Sequence, residues 1–150
     1  MSGEDSREQV EKPNSDLKSL ERLVGTWELS GEIQGRIRYE WMEGGFFLVQ
    51  HVDLEYGRKI KGIEVIGHLK LSGEKPSKNI RSRFYDFLTG LTLDYTYEVV
   101  DENITIWFGE KGSKNLFKAQ FSRDGKSYSG AWKWPGGGYT LTATKVSSDA

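Results

Sequence analysis

From Thr26 onward, apolar and polar residues alternate with a period of two, the pattern of strands that bury one face and wet the other. Ten such segments are predicted, at residues 26–34, 35–42, 46–56, 59–71, 79–87, 91–100, 103–109, 115–122, 127–134 and 139–146. The breaks between them carry turn chemistry: Gly44-Gly45, Gly57, Ser72-Gly73, Thr89-Gly90, Asp101-Glu102, Lys111-Gly112, Asp124-Gly125 and Pro135-Gly136-Gly137-Gly138. Most gaps are short enough for each strand to pair with the next, and no helical pattern separates any two, which excludes parallel crossover units. Before Thr26 the period differs. Leu17, Leu20, Leu23 and Val24 fall on one helical face, with Ser15 or Asp16 as N-cap and Gly25 as stop. Residues 1–15 offer charges, Pro13 and a single bulky aliphatic, Val10, so a disordered tail is expected there, followed by one domain over 16–147.

Ten antiparallel strands in so short a chain must hide their edges, and closure does so completely. The expected fold is therefore all-β: an up-and-down barrel of about ten strands with a short N-terminal helix plugging one end. Eight strands are about filled by their own side chains, and the interior widens with strand number, so a ten-stranded barrel is expected to keep a cavity.

Composition narrows the function classes. The 150 residues include 21 Lys+Arg and 22 Asp+Glu, a net charge of −1, so no basic field suggests nucleic acid or an anionic membrane as partner. The absence of Cys excludes disulfides, thiol nucleophiles and Cys-type zinc sites. No apolar run approaches the roughly 18 residues of a spanning helix, and no basic-then-apolar leader is seen, so the cytoplasm is the expected compartment. Gly136-Gly137-Gly138 lacks the Lys-Ser/Thr and helix of a phosphate loop.

Gly25-Thr26-Trp27, after a short helix and opening the first strand, resembles the Gly-x-Trp start of lipocalins and related calycin barrels. In those proteins the Trp closes the barrel base beneath a basic side chain of the last strand, and Lys145 stands where that residue would fall, in place of the usual Arg. The stretches Tyr39-Glu40-Trp41-Met42-Glu43-Gly44-Gly45-Phe46-Phe47, Gly62-Ile63-Glu64-Val65-Ile66-Gly67 and Gly130-Ala131-Trp132 resemble an uncharacterised family of small lipocalin-like proteins. That family is distantly similar to nitrobindin and to fatty-acid-binding proteins. The resemblance implies a calycin-type barrel, with Gly25, Trp27 and Lys145 in structural roles, and little about activity. Nitrobindin-like proteins hold haem through a late-strand His; neither His51 nor His68 lies in a late strand, so haem is not expected, nor any other cofactor.

Aromatic residues make up 13% of the chain. Those pointing inward would line a pocket for a flat or largely apolar guest, with hydroxyl and N–H groups to orient it. The candidate binding residues are Trp41, His51, Glu64, Arg83, Tyr97 and Trp132. Two His without a ligand spacing motif do not make a metal site, although pairing of the third and fourth segments would bring His51, His68 and Glu64 to one side. The more apolar face of the third segment, Phe46-Leu48-Val52-Leu54, instead sends His51 outward. The leading reading is a binder of a small hydrophobic or aromatic molecule. The alternatives are an enzyme using Glu64 with Arg83 and a Tyr inside the same cavity, and an interaction module whose barrel is filled. Pairing of two copies through an outer sheet face is left open.

Overall fold

The computed structural model describes residues 11–149. Ten strands follow a single N-terminal 3-10 helix, Ser15–Leu23. They are β1 (Gly25–Gly31), β2 (Gln34–Trp41), β3 (Phe47–Glu55), β4 (Lys59–Gly67), β5 (Ile80–Asp86), β6 (Thr92–Val100), β7 (Asn103–Phe108), β8 (Leu116–Phe121), β9 (Ser127–Trp134) and β10 (Gly137–Ser147). Each strand pairs antiparallel with its sequence neighbour, and β1 pairs with β10 to close the barrel. The expected all-β up-and-down barrel is the observed one.

The helix is tighter than its sequence periodicity suggested. Leu17, Leu20 and Leu23 recur every third residue, and three residues per turn is the 3-10 repeat, so the tighter winding stacks all three on one buried stripe. Its N-cap is Asn14, whose side chain accepts from the Asp16 N–H at 3.1 Å, and not Ser15 or Asp16. Of the tail expected over 1–15, residues 1–10 lie outside the described residues. Glu11 is ion-paired with Lys70 at 2.5 Å.

This helix lies across one end of the barrel and is fastened from several sides. Trp27 Nε1 donates to the Leu23 carbonyl at 2.8 Å, and Trp41 Nε1 donates to Glu21 at 2.9 Å. Arg22 bonds the Asp101 carbonyl at 2.7 Å and the Glu102 carboxylate, with its guanidinium 4.0 Å above the centre of the Phe121 ring. His68 bridges Asp16 at 2.8 Å and the Ser77 carbonyl at 2.7 Å. Trp27 is fully buried at the base, and the Lys145 ammonium stands 4.9 Å over its ring. Burial holds the Lys145 pKa below its ordinary value, opposed by the nearby Glu21 charge.

Three strand ends differ from the sequence reading by two residues or more, each for a local reason. β1 stops at Gly31 because Ile33 turns inward, 4% exposed, to cap the core within the Glu32-Ile33 turn. β4 stops at Gly67 because the apolar residues beyond it, Leu69 and Leu71, have no buried face to fill and stand more than half exposed. β10 begins two residues early: Gly137 pairs with Trp134, leaving Pro135-Gly136 as a two-residue turn with Gly136 at φ 93°.

Gly25 has a steric cause. Its φ is +124°, and a Cβ there would sit 2.5 Å from the Ser147 carbonyl oxygen, where β1 crosses β10. The Trp27 anchor directly beyond it carries the larger energy. Trp27→Ala is expected to destabilise the protein by about 3–5 kcal/mol, through the cavity it leaves and the lost bond to Leu23. A urea titration followed by circular dichroism measures this; a loss below about 1 kcal/mol would show that the base is held by other contacts.

Candidate functional site

The strand register decides which side chains face inward. On β2 these are Ile37 and Tyr39; on β3, Leu48, Gln50, Val52 and Leu54; on β4, Ile60, Gly62, Glu64 and Ile66. Tyr39 pairs with Gln50, and Gln50 pairs with Glu64, so three polar side chains form a lateral row across an otherwise apolar wall. Gly62 is the inward neighbour of Glu64 and has no room for a side chain, since a Cβ would fall 2.1 Å from the Tyr85 carbonyl oxygen and 2.8 Å from the Phe84 ring.

Glu64 is the centre of this row, a carboxyl group only 4% exposed. Its Oε1 accepts from Gln50 Nε2 at 2.5 Å and from the Tyr97 hydroxyl at 2.8 Å, and its Oε2 accepts from the Ser82 hydroxyl at 2.5 Å. Tyr39 stands beside Gln50 in the register, and burial, with the neighbouring Tyr128 and Glu64, raises its phenol well above the ordinary value. Burial raises the Glu64 pKa above the ordinary carboxyl value, and the three donors only partly oppose that rise. Burial and the Glu64 charge together push the Tyr97 phenol well up.

The opposite wall is aromatic. Trp27 meets Tyr128 at 5.0 Å between ring centres, Phe117 lies 5.5 Å from Trp132, and Trp132 lies 5.9 Å from Tyr95. Between the walls is a cavity of about 240 Å³, lined by Tyr39, Gln50, Glu64, Tyr95, Tyr97, Phe117 and Trp132. It extends toward the end away from the helix, where Arg58, Asp86, Leu91 and Tyr139 also line it. Asp86 caps the β5–β6 turn by accepting from the Leu88 N–H at 2.9 Å and the Thr89 N–H at 3.2 Å, which holds its pKa low. A larger concavity of about 780 Å³ lies outside the barrel across β8–β10, but its polar lining, including Ser30, Lys118, Ser129 and Lys133, is exposed and unorganised by buried contacts.

Three of the six candidate residues meet in this cavity: Glu64, Tyr97 and Trp132. The other three do not line it. His51 pairs with Ile63 and faces outward, 2.7 Å from Glu40, which also holds Arg38 at 2.6 Å. Hydrogen bonds from His51 and Arg38 pull the Glu40 pKa below its ordinary value. Arg83 is on the outer face as well, in a bidentate pair with Asp94 at 2.7 and 3.0 Å. Trp41 has the inward register but belongs to the closed end, where its indole binds Glu21. The arrangement of Glu64, Arg83 and a Tyr in one place is therefore not formed, and neither is a cluster of His51, His68 and Glu64. Among the described residues, no group of three or more His, Asp or Glu is placed to hold a metal ion.

Gln50 and Ser82 complete the polar network and were not singled out from the sequence. Gln50 left a signal: it interrupts Leu48, Val52 and Leu54, and a polar residue in phase with an apolar face points inward. Ser82 left none, because Ser is common on either face of a strand. No protein-family model matches the chain, and no curated protein matches it.

Glu64 gives two stability predictions. Glu64→Leu leaves the Gln50, Ser82 and Tyr97 donors without their acceptor, each costing about 1–3 kcal/mol where no replacement forms, so a clear loss in urea stability is expected. Glu64→Gln keeps the shape and removes the ionisation. Because the folded protein holds the Glu64 proton more tightly than the unfolded chain does, this group's contribution is fully present below the ordinary carboxyl pKa. It is lost as pH rises from there through the raised folded value. Melting curves across that range are expected to show the decline in the native protein and its absence in Glu64→Gln; parallel curves would place the ionisation elsewhere.

Proposed function

We propose that the barrel binds a small, predominantly apolar molecule in its interior. The observation that carries this reading is the combination of a hollow core with a polar anchor on one wall and an aromatic surface on the other. A protein that needed only stability would gain by filling such a space, because interiors are close-packed and cavities cost free energy. Burying a carboxyl group beside the space costs more still. The volume of about 240 Å³ lies under the roughly 300–1,000 Å³ of pockets for drug-sized molecules, so the guest is a small one.

The pairing of Gly25-Thr26-Trp27 with Lys145 over the indole supports a calycin-type barrel, in which an internal binding site is a common use of the fold. A filled-barrel interaction module accounts for neither the cavity nor the Glu64 network.

Trp132 is the tryptophan that lines the cavity, so it reports occupancy. A guest is expected to change the intrinsic fluorescence of the native protein, and the change is expected to disappear in Trp132→Phe. At about one hundred times its Kd, a guest adds about 2.7 kcal/mol of stability and raises the melting temperature accordingly. Filling the cavity by Ile106→Phe is expected to weaken binding at least tenfold. A broad panel of small aromatic and aliphatic molecules that moves neither signal would overturn the reading.

A further inference from the structure

Glu64 constrains what the guest is. Among the described residues the group touches three hydrogen-bond donors and no cation: its neighbours are Ser82, Tyr97 and Gln50, all neutral. A carboxylate offers about four acceptor positions, and three are taken, which leaves one on Oε2. An ionised carboxyl group buried without a positive partner is costly, so in the empty barrel it is driven toward its neutral form. A guest that brings a positive charge removes this penalty.

The rest of the lining favours the same sign. Glu64 and Asp86 are acidic, and Arg58, the one basic lining residue among the described residues, is exposed at the mouth on the side of Asp86. Among the described residues no Lys lines the cavity, and the two cations that flank Ser82 in sequence, Arg81 and Arg83, are ion-paired with Glu110 and Asp94. A carboxylate guest entering head-first would meet Glu64 with no deep cation to receive it. The aromatic wall of Phe117, Trp132 and Tyr95 presents π-faces, which attract cations as well as apolar groups. Once Glu64 is ionised its charge makes the cavity negative, and that charge also raises the Tyr95, Tyr97 and Tyr128 phenols.

Resting on the reading that the cavity is a binding site, we propose that its guest is a small organic ammonium ion. The cationic nitrogen is held by the Glu64 carboxylate, and the apolar body lies against Trp132, Phe117 and Tyr95. Below its pKa in the empty protein Glu64 keeps its proton; binding the ammonium form there ionises it, and that proton passes to solvent through the open mouth. Uptake is therefore linked to the release of one proton. Affinity strengthens as pH rises up to the pKa of Glu64 in the empty barrel and levels off above it, while the amine itself stays protonated.

The test is a matched set on the intact chain: phenethylamine, phenethyl alcohol and hydrocinnamate, followed by Trp132 fluorescence and isothermal titration calorimetry. The amine is expected to bind at least tenfold more tightly than the alcohol, and the acid more weakly than both. Calorimetry in buffers of different ionisation enthalpy is expected to show proton release with the amine only, below the Glu64 pKa. In Glu64→Gln, checked for an intact melting transition, the preference for the amine over the alcohol and the proton release are expected to vanish. Equal binding of amine and alcohol, or tighter binding of the acid, overturns the ammonium assignment while leaving the cavity a binding site. Failure of all three, together with failure of the wider panel above, overturns both. The native-protein series decides the matter even if Glu64→Gln does not fold.

Discussion

Closure of β1 onto β10 is the constraint from which the other features of this protein follow. An open ten-stranded meander would leave two unpaired edges, and its inner face would have nothing to pack against. Joining Trp27 to Lys145 and Leu29 to Ala143 removes the edges and turns one face of every strand into a shared interior. The join is tight enough that Gly25 tolerates no side chain at the crossing, and it is stabilised on the inside by Trp27, which also receives the helix through the Leu23 carbonyl. The closed end is therefore dense and aromatic, while the far end is joined by short turns and stays open.

Given that closure, the interior is divided by chemistry as much as by shape. The walls from β3 to β6 bring Gln50, Glu64, Ser82 and Tyr97 into one hydrogen-bonded set, and those from β6 to β9 bring Tyr95, Phe117 and Trp132 into ring contact. Neither set alone makes a site. A polar network without an apolar wall would hold water, and an aromatic wall without a polar group would close on itself. Their separation by an unfilled space gives a guest both a surface and an anchor. The outer face handles its charges differently: Arg83 with Asp94, Arg36 with Glu28 and Lys59 with Asp53 are exposed pairs, and such pairs contribute little to stability.

The buried Glu64 is held in a balance between desolvation and hydrogen bonding. Three donors make the carboxyl tolerable where it is, yet none supplies charge. A fully compensated carboxylate, such as Asp94 beside Arg83, has its pKa lowered and is chemically quiet; Glu64 has its pKa raised and responds to whatever enters the cavity. That contrast between two acids, one on β4 and one on β6, follows from which face of the sheet each occupies.

Alternation alone was enough to determine the strand number, their antiparallel order and the closed all-β architecture, because period-two burial and short turns leave few other topologies. Glu64, Tyr97 and Trp132 were legible as candidates from residue type, and Trp27 from the Gly-x-Trp resemblance. Three assignments were beyond the sequence. Whether His51 and Arg83 faced in or out depended on register, and a shift of one residue reverses every side chain on a strand. The helix type depended on which surface it had to cover, since a three-residue spacing is compatible with either winding until a flat barrel end selects one. The meeting of Gln50, Ser82 and Tyr97 on one carboxyl group involves residues up to 47 positions apart on four strands, and only the tertiary fold brings them within hydrogen-bond distance, because barrel closure sets the lateral stagger between strands and no local pattern encodes it.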